Sequence, residues 1–135
     1  MRYMLLIYTK EDEMARNSDQ QRQKIMEGHF KVMEETRAKG ILEAAEPLSR
    51  TNTATTVRLQ NGKPLIIDGP FAETREQLAG YYILDCKDLD EAIGYASRIP
   101  TSCGGTCGCI EIRTLPGLPS AVPTNEAEAV TSRNG

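Results

Sequence analysis

A chain of 135 residues is long enough for one domain with a real hydrophobic core and too short for two ordinary ones. Its formal charge of −3, from 16 Lys and Arg against 19 Asp and Glu, leaves no basic excess and no long run of either sign, which argues against nucleic acid as a partner. The longest apolar stretch, Met4 to Tyr8, falls far short of the roughly 20 residues that a bilayer span needs, and the N-terminus lacks a signal-peptide profile, so a cytoplasmic protein with no membrane partner is expected.

Arg2 to Tyr8 reads as a strand whose two faces, Tyr3/Leu5/Ile7 and Met4/Leu6/Tyr8, are both mainly apolar, so each needs a cover. A polar segment follows. Ser18 with Gln21 three positions later then fits the capping-box pattern and predicts a helix to about Lys39, stopped by Gly40. At 100° per residue Ile25, Met26, Phe30, Val32, Met33 and Thr36 share one stripe, and His29 falls inside it. Ile41 to Ala45 is a short strand ended by Pro47.

The polar connector Ser49 to Ala54 leads into a strand from Thr55 to Gln60, and after Asn61-Gly62 the chain returns from Lys63 to Asp68. Asn-Gly between two strand-like runs predicts a two-residue hairpin with Leu59 opposite Pro64 and Thr55 beside Asp68. Asp68-Gly69-Pro70-Phe71 then forms a tight turn that carries one carboxylate. Ala72 to Gln77 is a polar excursion. Leu78 to Cys86 is a second strand apolar on both faces, which pairs centrally with the first. Asp88 with Glu91 opens a short helix that ends before Pro100, and Cys109 to Leu115 is a last strand with Ile110 and Ile112 alternating with Glu111 and Arg113. Positions 116–135 have no periodicity and read as a tail, either disordered or a loose arm over the surface.

Strand, helix, strand, hairpin, strand, helix, strand is the ferredoxin-like α+β plan with an added hairpin: an antiparallel sheet with two helices on one face. The opposite face still carries apolar residues from the central strands, an unusual patch for a soluble monomer. A homodimer packed through these sheet faces is therefore expected, enclosing a lumen that Glu111 and Arg113 partly line.

The sequence resembles the YCII-related or DGPF-domain proteins over roughly its first 115 positions. The likeness lies in Arg2-Tyr3-Met4-Leu5-Leu6-Ile7-Tyr8, Thr55-Thr56-Val57-Arg58, Asp68-Gly69-Pro70-Phe71-Ala72-Glu73-Thr74, Gln77-Leu78-Ala79-Gly80-Tyr81-Tyr82, Asp88-Leu89-Asp90-Glu91-Ala92 and Glu111-Ile112-Arg113. It implies a dimeric α/β barrel built of ferredoxin-like subunits. It also implies a histidine and aspartate acting as an acid/base pair, for which this chain offers His29, its single histidine, and Asp68. DGPF-type domains further resemble modules associated with sigma-factor regulators, which implies a regulatory alternative.

Two roles are open to Asp68: accepting N–H bonds from the turn it opens, or moving a proton or binding a ligand. His29 is either packed in the core or, facing Asp68, held in one tautomer by the carboxylate so that its other nitrogen moves a proton. Phe71, Tyr81, Tyr82, Glu111 and Arg113 are the ligand-binding candidates, Arg113 for a carboxylate or phenolate and a tyrosine hydroxyl for a hydrogen bond. One of the two adjacent tyrosines must face the helix-free side. Three of the four cysteines cluster late in the chain, unlike the framework of a secreted disulfide fold, so reduced thiols are expected. Cys103, Cys107 and Cys109 have the spacing C-x3-C-x-C, no zinc pattern, so no metal is expected. Gly104-Gly105 and Gly108 precede a strand rather than a helix, which rejects a phosphate loop, and no cofactor is expected. The functions that remain are a small-molecule enzyme for isomerisation, elimination or hydrolysis, a non-catalytic ligand-binding or regulatory dimer, and a plain structural dimer.

Overall fold

The computed structural model describes residues 1–101 and 107–119. Cys103, Gly104 and Gly105, and the tail beyond position 119, lie outside the described residues. The elements run β1 (Arg2–Thr9), α1 (Glu11–Ala15), α2 (Asp19–Ala38), β2 (Leu42–Pro47), β3 (Thr55–Gln60), β4 (Lys63–Asp68), β5 (Gln77–Asp85), α3 (Leu89–Ala96) and β6 (Cys109–Leu115). Four strands form an antiparallel sheet in the order β2-β5-β1-β6, and β3 with β4 forms a separate hairpin. This is the ferredoxin-like α+β fold, with β1 and β5 central as their two apolar faces require.

The core lies on one face of the sheet. Tyr3, Leu5 and Ile7 of β1 and Tyr82 and Leu84 of β5 are buried there against Val32 of α2, Ala92 and Tyr95 of α3, and Ile99. Pairing Leu5 with Tyr82 and Tyr3 with Leu84 puts these side chains on a common face, because opposed residues point the same way. Met4, Leu6, Tyr81 and Ile83, also opposed in register, share the helix-free face and stay half-buried. A bulge between Ile7 and Tyr8 shifts the register so that Tyr8 opposes Leu78.

The capping box is formed in full: the Ser18 hydroxyl accepts from the Gln21 N–H and the Gln21 side chain accepts from the Ser18 N–H. The apolar stripe of α2 is narrower than its pattern suggested. Val32 and Thr36 are buried and Ile25, His29 and Met33 half-buried, but Met26 and Phe30 are 54 % and 56 % exposed. Both fall about a quarter-turn or more from the line that meets the sheet, so one helix edge carries apolar side chains into solvent. Short α1 sits where only a polar connection was expected, with no side-chain cap to announce it. Cys107 is disulfide-bonded, whereas Cys86 and Cys109 are free thiols, so the expectation of reduced cysteines throughout is corrected. Clustered cysteines rule out an evenly spread framework but not a single bridge.

Candidate functional site

The hairpin carries the Asp68 turn to one end of the sheet. Asn61 and Gly62, at φ of 52° and 76°, make the tight reversal, and the register is Leu59 against Pro64 and Thr55 against Asp68, as the Asn-Gly signal predicts. Gly69 follows at φ 103°, a left-handed conformation that suits only glycine. The turn is fastened through this glycine: its N–H donates to the Ala54 carbonyl at 2.7 Å, and its carbonyl accepts from the Thr56 hydroxyl at 2.8 Å. Among the described residues none of the turn's hydrogen bonds ends on the Asp68 carboxylate. The purely structural role open to Asp68 is thus taken by its neighbour's backbone.

Beside the turn lies a cleft of about 950 Å³, bounded by segment 48–54, the turn itself and the start of β5, with Tyr8, Leu48, Asp68, Phe71, Glu76 and Leu78 among its walls. One wall is latched by Glu11, whose carboxylate accepts from the Thr51 N–H and hydroxyl, both at 2.8 Å. The Glu11 N–H in turn donates to the Gln77 side-chain oxygen at 3.0 Å, tying that wall to β5. Glu76 accepts from the Gly108 N–H at 2.6 Å and faces the Cys109 thiol at 3.8 Å. Burial first, then Glu76 and Glu111, push the Cys109 thiol up, which favours its protonated form. On β1 the Tyr8 hydroxyl makes a long contact of 3.5 Å to Glu111, and burial with that carboxylate raises the phenol.

Asp68 and Phe71 are the two predicted residues that line this cleft, both exposed, Phe71 by 75 %. Tyr81, Glu111 and Arg113 occupy the helix-free face beside it: Tyr81 opposes Leu6, and Glu111 and Arg113 oppose Leu6 and Met4 from the other side. Tyr82 and His29 are elsewhere. Tyr82 points into the helix-covered core, 3 % exposed, and its hydroxyl lies 2.8 Å from His29 Nδ1, with the rings stacked at 6.0 Å. Burial lowers the His29 pKa and pushes the Tyr82 phenol up to about 12, so both are neutral at pH 7. The structure therefore does not bring His29 to Asp68: one reaches the core side of the sheet through α2, the other opens into a cleft walled by Tyr8 and Leu78.

Sequence reasoning missed Tyr8, Glu11, Glu76 and Gln77. Glu11 and Thr51 carry no mutual signal, since their contact spans 40 positions. Tyr8 was legible as part of an apolar face, but not as a cleft wall.

A ferredoxin-like sheet covered by helices on one face, with an acidic cleft where an appended hairpin joins it, defines a small α+β domain. The chain belongs to the YCII-related domain family, which matches residues 1–115. It is similar to the uncharacterized protein R00369 of Rhizobium meliloti (strain 1021), at 36 % identity over 115 residues that cover 85 % of this chain and 92 % of the relative. Among the described residues no helix is long and apolar enough to cross a membrane.

Proposed function

We propose that this protein is a homodimeric binding module for a small aromatic amine, held at the Asp68–Phe71 cleft. The observation that carries this is the Asp68 carboxylate, set in a wide cleft beside an exposed phenyl ring and left without a hydrogen-bond donor among the described residues. Asp68, Glu73 and Glu76 against Arg50 give the lining an acidic balance, which favours a cationic ligand. Phe71 supplies a face for ring stacking or for the ammonium itself. The helix-free apolar face of Met4, Leu6, Tyr81 and Ile83 supports pairing of two sheets. Acid/base catalysis through a His29–Asp68 pair is not favoured, because the only hydrogen-bond partner of His29 among the described residues is Tyr82.

A thermal-shift screen of aromatic amines, phenols and aromatic acids tests this. Amines are expected to stabilise the wild type and not Asp68→Asn; equal stabilisation of both proteins by every hit removes the proposal.

A further inference from the structure

A second cleft opens on the helix-covered side of the molecule, where the start of α2, the segment after α3 and the start of β6 meet. Its volume of about 520 Å³ is that of a small-molecule pocket, and it shares no wall residue with the Asp68 cleft. One wall is fixed by a missing side chain: a Cβ on Gly28 would stand 2.9 Å from Pro100 Cγ, so its absence lets Pro100 seat directly on α2. Ile25, Ile99 and Ile110 make part of the lining apolar.

The charged lining has one sign. Lys24 and Arg98 border the cleft and no Asp or Glu does, the reverse of the balance around Asp68. Helix dipoles do not decide this, since the start of α2 and the end of α3 both border it with opposite poles. Arg98 is held in place, its Nη1 donating to Glu35 at 2.6 Å and its guanidinium 5.1 Å from the centre of the Tyr95 ring, with further donors unspent. Glu35 offsets part of that charge, so Lys24, which makes no ion pair among the described residues, is the main cation. The Gln21 side chain spends its oxygen on the Ser18 N–H and keeps its amide donors. Thr101 is only 8 % exposed, yet it lines the cleft and its hydroxyl has no partner among the described residues. No side-chain oxygen among those residues is both sealed from solvent and unpaired, so this hydroxyl opens into the cleft, where a bound acceptor would satisfy it.

We propose that this cleft binds a small organic phosphate, its oxygens on Lys24, Arg98, the Gln21 amide and the Thr101 hydroxyl and its apolar body on Ile25, Ile99 and Ile110. A phosphoryl group brings three acceptor oxygens and about −1.5 to −2 charge at pH 7, whereas a carboxylate brings two oxygens and a single charge, and the larger set of donors here matches the phosphate. The site stands independently of any ligand at Asp68.

The test is calorimetric titration of the full chain with phenyl phosphate, inorganic phosphate and benzoate. Phenyl phosphate is expected to bind wild type most tightly of the three and Lys24→Gln at least about tenfold more weakly. It is expected to bind Lys31→Gln as it binds wild type, because that variant removes the same charge from an exposed position of α2 outside the cleft. Thr101→Val is expected to melt no lower than wild type, since its hydroxyl has no partner to lose, and to bind several-fold more weakly. Absence of phenyl phosphate binding at millimolar concentration, undiminished binding by Lys24→Gln, or an equal loss in Lys31→Gln overturns the site. Benzoate bound as tightly as phenyl phosphate overturns the phosphate class, and inorganic phosphate bound as tightly overturns the apolar contact. A Thr101→Val that melts well below wild type shows its hydroxyl to be paired within the fold and overturns its part in the site.

Discussion

Asp68 and His29 meet opposite physical conditions. Asp68 is exposed at the end of β4 with no donor on its carboxylate among the described residues, so its removal leaves no buried group there unpaired. Asp68→Asn is expected to change unfolding free energy by no more than about 0.5 kcal/mol in a urea titration. His29 is half-buried against Tyr82, and burial lowers its pKa below the ordinary 6.5. The unfolded chain therefore binds its proton more readily than the folded one. Stability is complete above pH 6.5 and falls as the pH drops from there toward the folded-state value, and urea midpoints between pH 5 and 8 should show this slope. His29→Gln should flatten it. Tyr82→Phe leaves His29 Nδ1 without its hydroxyl and is expected to cost about 1–3 kcal/mol. The carboxylate's place was legible in the sequence because an Asn-Gly turn fixes register by counting. The histidine's partner was not, because a helical stripe says that a side chain faces the core without saying which of two adjacent tyrosines it meets.

Local chemistry decides the elements most firmly where one residue does one job. Ser18 caps α2 through the Gln21 N–H at 3.1 Å, and Ser18→Ala is expected to lower stability by about 1 kcal/mol in thermal or urea unfolding. Gly80 is bound by packing: a Cβ there would sit 2.7 Å from the Glu46 carbonyl oxygen and 3.2 Å from Pro47 Cα. Gly80→Ala must push β2 off β5 and is expected to cost about 1–3 kcal/mol, with faster amide exchange along β2. Strands, α2 and α3 were legible from alternation, period and caps. Helix α1 lacks a side-chain cap, and Met26 and Phe30 follow the helical period without meeting the sheet, so pattern alone misplaced both.

For the whole molecule, strand order follows from which strands are apolar on both faces, and β1 and β5 are central for that reason. The cleft is a product of long-range closure, Glu11 to Thr51 and Glu76 to Gly108, between residues whose sequence neighbourhoods give no hint of each other. That is why the turn could be read from the sequence and its surroundings could not. Calorimetric titration of an aromatic amine found in the thermal-shift screen separates a ligand held by the Asp68 carboxylate from one that depends on His29. Asp68→Asn is expected to bind at least about tenfold more weakly than wild type, the loss of one charge-assisted hydrogen bond, while His29→Ala binds within about twofold. Undiminished binding by Asp68→Asn, or an equal loss in His29→Ala, would rule out a ligand held by the Asp68 carboxylate alone.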